Sequence, residues 1–100
     1  MSAPELPDFT GYDWDRGNLE KNWLKHRVTA LEAEQVFQNR PIILIDDATH
    51  SQKEARTVAL GKTDLERLLT VIFTVRGRMI RIISARDMNH DEKAHYERGL

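Results

Sequence analysis

Four arginines, Arg76, Arg78, Arg81 and Arg86, fall within eleven residues that read as a strand, a tight turn and a second strand. A guanidinium is always charged, and its planar fork of donors matches phosphate oxygens. Placed on neighbouring strands, such groups can hold a phosphodiester and stabilise charge that develops on it. Arg56 lies on another strand-like run and adds to the set. The competing account of each is a solvated arginine paired with Asp or Glu. Lys25-His26 ends a helical run. The helix dipole alone favours cations there, yet imidazole is the side chain most easily tuned for proton transfer near neutral pH.

Other chemistry is poorly served. With no cysteine the chain has no disulfide, thiolate ligand or sulfur nucleophile. His90 and His95 stand five apart and do not share a helix face, and His50 is isolated, so no metal site is expected. There is no glycine-rich phosphate loop and no G-x-S-x-G elbow, and no cofactor is expected. Tyr96 can reach a substrate from the last helix, against the commoner role of a packed ring with a wet hydroxyl. Trp14 and Trp23 read as core residues rather than base-stacking platforms.

One hundred residues make one domain with a modest core. Residues 1–8, with Pro4 and Pro7, read as a flexible tail, leaving 9–100 as the domain. The net charge of −1 argues against a bulk polycation but is unevenly spread. Residues 1–52 hold five Lys/Arg against nine Asp/Glu, 53–86 hold eight against three, and 87–100 hold two against four. A near-neutral total therefore hides a positive centre. No apolar run reaches membrane-spanning length and no leader pattern is visible, so a reducing cytoplasm is the expected location.

The elements that must position these groups can be read in order. Phe9 to Trp14 suits a short strand with Tyr12 and Trp14 on one face. Asp15 is a plausible cap for a helix from Arg16 to His26, striped by Leu19 and Trp23. Thr29 and Glu32 form a capping box for a second helix that turns Ala33, Val36 and Phe37 inward and ends at Asn39-Arg40-Pro41. With two or three residues between them, the helices should form a hairpin. Strands follow at Ile42–Ile45, Glu54–Leu60, Leu68–Arg76 and Met79–Arg86, with a turn at Gly61–Asp64. Asn89 and Glu92 open a short last helix ending near Gly99.

The arginine hairpin can be taken to register. A two-residue Gly77-Arg78 turn pairs Arg76 with Met79, Val75 with Ile80, Thr74 with Arg81 and Phe73 with Ile82. Leu69, Val71, Phe73, Val75, Ile80 and Ile82 then share a core face. Thr70, Thr74, Arg76, Arg81 and Ile83 share the other. A one-residue slip would bury Arg81 unpaired, which is too costly. By simple alternation Arg86 falls on the core face.

The order Trp14-Asp15, Asn22, Lys25-His26-x-Val28, Val36-Phe37, Asp46, His50, Glu54-x-Arg56, Gly61, Thr74-x-Arg76-Gly77, Arg81-Ile82-Ile83-Ser84-Ala85-Arg86, Glu92 and Tyr96 resembles the BrnT toxins. The resemblance runs from about Tyr12 to Tyr96. It implies an α+β, RelE-like fold: a helical hairpin on a mostly antiparallel four- to five-stranded sheet, with a short C-terminal helix. It also implies a metal-independent endoribonuclease toxin of a type II toxin–antitoxin pair that inhibits translation and growth. The implied partners are RNA, on or off the ribosome, and a cognate DNA-binding antitoxin in a heterotetramer of two toxins and two antitoxins. Where the family usually has glycine after Lys-His, this chain has Arg27, which must take a left-handed conformation or end the helix differently.

On this reading Arg56, Arg76 and Arg81 bind the phosphate, Lys25 or His26 transfers a proton, and Arg86 is a supporting cation. Arg27, Arg78 and Tyr96 contact RNA. The competing class is a non-enzymatic module whose arginine face docks an acidic protein or nucleic acid. A third reading makes that face the antitoxin's docking surface.

Overall fold

Gly77, at φ 60°, gives the tight turn between the two longest strands a conformation that L residues resist. Around this hairpin the computed structural model, which describes residues 5–47 and 55–99, builds an α+β domain. In chain order it holds β1 (Gly11–Trp14), α1 (Arg16–His26), α2 (Ala30–Gln38), β2 (Ile43–Asp46), β3 (Thr57–Lys62), β4 (Leu68–Arg76), β5 (Met79–Asp87) and α3 (His90–Arg98). The strands form one five-stranded sheet in the order β1-β5-β4-β3-β2. Only β1 runs parallel to its neighbour; the other pairs are antiparallel.

The helix starts follow the local chemistry. Asp15 caps α1 by accepting from the Asn18 N–H at 3.2 Å. Thr29–Glu32 and Asn89–Glu92 both close complete capping boxes. The α1–α2 hairpin covers one face of the sheet, where Val36 and Phe37 meet Val71, Phe73, Ile80 and Ile82 in a buried core. The Phe37 and Phe73 rings meet edge to face at 4.9 Å. The opposite face is roofed at one end by α3, through Met88, Tyr96 and Leu60. Leu6 packs against the main core, while residues 1–4 of the expected tail lie outside the described residues.

Three expectations change. Strand β3 starts after Arg56 and runs on through Gly61 and Lys62, which the sequence places in a turn. Gly61 belongs in the strand because α2 lies directly over it: a Cβ there would sit 2.7 Å from Val36 Cγ1. Trp23 is 44% exposed, and α1 instead buries Asn22. Strand β1 pairs only with Met79–Ile82, so the far half of β5 lacks a neighbour on that side. Asn22 Oδ1 takes the Ala85 N–H at 3.2 Å in its place.

The third change decides the direction of Arg86. Ile72 pairs with Ser84 but Phe73 pairs with Ile82, so Ile83 is a bulge with no partner. An extra residue reverses the alternation beyond it. Arg86 therefore stands opposite Thr70, on the same face as Arg81, not on the core side.

Candidate functional site

The face of the sheet away from α1 and α2 can be laid out row by row from the register. Arg81 is opposite Thr74 on β4 and opposite Asp13 on β1. Thr57 is opposite Phe73, so continuing β3 back by one residue places Arg56 opposite Thr74. The Thr74 hydroxyl donates to the Ala55 carbonyl at 2.7 Å and ties this end of β3 down. Arg56, Thr74, Arg81 and Asp13 thus form one row across four strands. Arg56 and Arg81 are two strands apart, about 10 Å between backbones. Arg76 lies two residues along β4 from Thr74, about 7 Å away, on the same face. Arg56, Arg76 and Arg81 therefore rise from one face of neighbouring segments of the sheet.

Bond lengths separate the arginines into two kinds. Arg81 reaches Asp13 and Asp15 at 3.3 Å each, longer than the ~2.7–2.9 Å of a strong charge-assisted bond. Both carboxylates are substantially exposed, and such pairs contribute little. They orient the Arg81 fork without committing it. Arg86 is committed: it grips Glu92 at 2.6 and 2.8 Å and also donates to the Asp87 carbonyl. That grip, chiefly the Arg86 hydrogen bond, holds the Glu92 carboxyl down at about 2, with the Asn89 N–H assisting against the effect of burial. Arg86 docks α3 onto the sheet.

Lys25 and His26 are elsewhere. Arg81 touches Asp15, the N-cap of α1, whereas Lys25 and His26 end the same helix, about 16 Å away along its axis. His26 lies instead near Asp87, whose carboxyl is held low chiefly by Arg67, with Lys93 and His26 adding to the effect. A group that transfers a proton must come within about 3 Å of it. Lys25 and His26 therefore do not share a site with Arg56, Arg76 and Arg81.

Arg27 meets the departure from glycine directly. It adopts the left-handed conformation, φ 53° and ψ 41°. The Arg27 N–H donates to Trp23 O at 2.9 Å, the bond of an αL helix ending, and the Val28 N–H donates to Asn22 O at 3.3 Å. Its guanidinium stacks on the exposed Trp23 ring at 5.1 Å. Arg78 is exposed at the β4–β5 tip. Tyr96 does not reach outward: it is 3% exposed and its hydroxyl donates to the Pro41 carbonyl at 2.8 Å, so its role here is packing. His50 and Glu54 lie outside the described residues.

Arg67 was not singled out by the sequence. It donates to Asp87 at 2.7 and 3.1 Å, to Glu32 at 3.0 Å, and to the carbonyls of His26 and Arg27 at 3.1 and 2.9 Å. One side chain joins the end of α1, the start of α2 and the end of β5. Burial would raise the Glu32 carboxyl, but the Thr29 N–H and Arg67 hold it below its usual range. No local signal marks Arg67, because its partners are 20 to 41 residues away. Among the described residues no three His, Asp or Glu side chains gather as metal ligands.

Comparison with known proteins bears on this layout. Residues 14–92 match the family described as the ribonuclease toxin BrnT of type II toxin–antitoxin systems. The chain belongs to the BrnT family. The match takes in every element from α1 to β5 and the first turn of α3. The crystal structure of the Brucella abortus ribonuclease toxin BrnT is similar in fold, with a TM-score of 0.57 at 22% identity. That similarity covers 80% of this chain and 97% of the Brucella one. No curated protein matches this chain. As a BrnT-family member it is a ribonuclease toxin by family, and no described helix is long and apolar enough to cross a membrane.

Proposed function

We propose that this BrnT-family chain is a metal-independent endoribonuclease acting in the cytoplasm, cutting RNA at the Arg56–Arg81 row and thereby halting translation and growth. The ribose 2′-hydroxyl gives its proton to solvent water as its oxygen attacks the adjacent phosphorus, the bond to the 5′-oxygen breaks, and that oxygen takes a proton from solvent. The products carry a 2′,3′-cyclic phosphate and a 5′-hydroxyl. Arg81, Arg56 and Arg76 hold the phosphate and neutralise its growing charge, and Arg78 extends the cationic path at the hairpin tip. The observation that carries this reading is the placement of Arg56, Arg76 and Arg81 on one face of the sheet, with Arg81 held by Asp13 and Asp15 at 3.3 Å each. Removing one such cation typically costs a hundredfold or more in rate.

A cognate DNA-binding antitoxin, in an assembly of two toxins and two antitoxins, is the neutralising partner we infer from the family. Growth arrest on expression, relieved by the product of the neighbouring gene, tests that part. Incubation of a labelled RNA with the protein in EDTA tests the chemistry. Cyclic-ended products that fall about a hundredfold in rate with Arg81→Ala support it. Intact RNA with a retained gel shift makes the protein a binding module instead.

A further inference from the structure

A hollow of about 240 Å³ beneath α3 plays no part in the chemistry above. Its floor is apolar, made by Ile45, Val58 and Leu60. Its rim comes from α3 and its cap: Asn89, Asp91, Glu92 and His95. The register places it on the arginine-bearing face. Ile45 is opposite Val58, Val58 is opposite Ile72, and Ile72 is opposite Ser84. That row runs beside the one holding Arg56, Thr74 and Arg81, about 7 Å along the strands. The hollow and the arginine row thus lie on the same face of the sheet.

Size and lining narrow the occupant. The volume is below the ~300–1,000 Å³ of sites for drug-sized ligands, which suits one flat ring system rather than a whole nucleotide. An apolar floor accepts the face of a base splayed from single-stranded RNA. The rim then reads the base's edge. Glu92 is taken by Arg86 and the Asn89 N–H, and Asn89 Oδ1 by the Glu92 N–H. Asp91 is exposed on the rim, and its carboxylate only accepts hydrogen bonds. Guanine offers two adjacent donors, N1–H and the 2-amino group, that fit a carboxylate side by side. Adenine and cytosine set a ring acceptor beside their amino group, and uracil flanks its one N–H with carbonyls. A carboxylate disfavours all three.

We propose that this hollow is a base pocket that receives a guanine next to the cleaved phosphate, with Asp91 accepting from its N1–H and 2-amino edge. The inference rests on the ribonuclease reading and names its specificity. It is tested with purified protein and RNA oligonucleotides in which a single guanosine is replaced by adenosine, cytidine, uridine or inosine. Wild-type protein should favour the guanosine RNA by about tenfold or more in kcat/KM, with inosine, which lacks the 2-amino group, in between. Asp91→Asn and Ile45→Trp, the latter filling the hollow from an exposed edge-strand position, should both flatten that preference. Cleavage without base preference, or variants that keep it, overturns the pocket while leaving the ribonuclease intact. A wild-type protein that cleaves nothing overturns the ribonuclease reading instead. The pocket is then judged by titrating guanosine 3′-monophosphate into methyl-labelled protein. Shifts of the Ile45, Val58 and Leu60 methyl signals that uridine 3′-monophosphate does not produce uphold it, and their absence overturns it.

Discussion

Arg86 and Glu92 face each other across the junction of β5 and α3, joined by two bonds of 2.6 and 2.8 Å. The pair works as a clamp, and its pH dependence has a definite sign. Glu92 is depressed from 4.5 to about 2 on folding. Its contribution is complete above the unfolded carboxyl range and is lost as pH falls from about 4.5 towards 2, amounting to about 3 kcal/mol at most. The Tm difference between wild type and Glu92→Gln should be constant above about pH 5.5 and close to zero near pH 2. A difference that does not change across that range would remove the clamp.

The two groups of cationic residues can be told apart by rate. Arg81→Ala should lower RNA cleavage by about a hundredfold, because Arg81 lies in the row with Arg56 and beside Arg76. His26→Asn, a helix length away, should change it by no more than about threefold at every pH where the fold holds. Measured rates in the opposite order would move the chemistry to the Asp87 end of α1.

Arg67 should matter to stability far more than to specificity. Arg67→Ala leaves Glu32, Asp87 and two carbonyls without their shared donor, at a cost of roughly 2–4 kcal/mol. Arg67→Lys should recover little of it, since an ammonium cannot span the same set of acceptors. Urea unfolding of both variants measures this, and a lysine variant as stable as wild type would contradict it.

At position 27 the backbone and the side chain pull in different directions. Arg27→Ala keeps the left-handed strain and loses the contact with Trp23. Arg27→Gly loses the contact but relieves about 1 kcal/mol of strain. The glycine variant should therefore be the more stable of the two by about 1 kcal/mol, read from their chemical denaturation midpoints.

Gly61 should not tolerate even one methyl group. A Cβ would meet Val36 Cγ1 at 2.7 Å, on an α2 held in place by Phe37 packing on Phe73. Gly61→Ala should cost roughly 1–3 kcal/mol, visible as a lower Tm, by forcing α2 away from β3.

Local chemistry accounts for most of what the chain alone declared. A capping box is four residues of sequence, so Thr29–Glu32 and Asn89–Glu92 mark their helices within a residue. Gly77-Arg78 set the hairpin register, and the cost of burying Arg81 chose the face. The same locality explains the failures. Alternation carries no mark of the extra residue at Ile83, so by itself it puts Arg86 on the wrong side. Nothing near Trp23 revealed that the β5 edge would claim Asn22 instead.

Which cations belong together was settled only by the assembled chain. Residues 25, 26, 56, 76 and 81 are all basic and all suited to phosphate chemistry in the sequence. Strand pairing gathered the last three into a patch, and the length of α1 carried the first two to the other end of the domain. Arg67 became a hub for partners 20 to 41 residues away in the same manner. Residue type, caps and periodicity act over one or two turns of chain, so sequence declares them; distances between side chains from different elements exist only once the sheet has closed and the helices have packed on it.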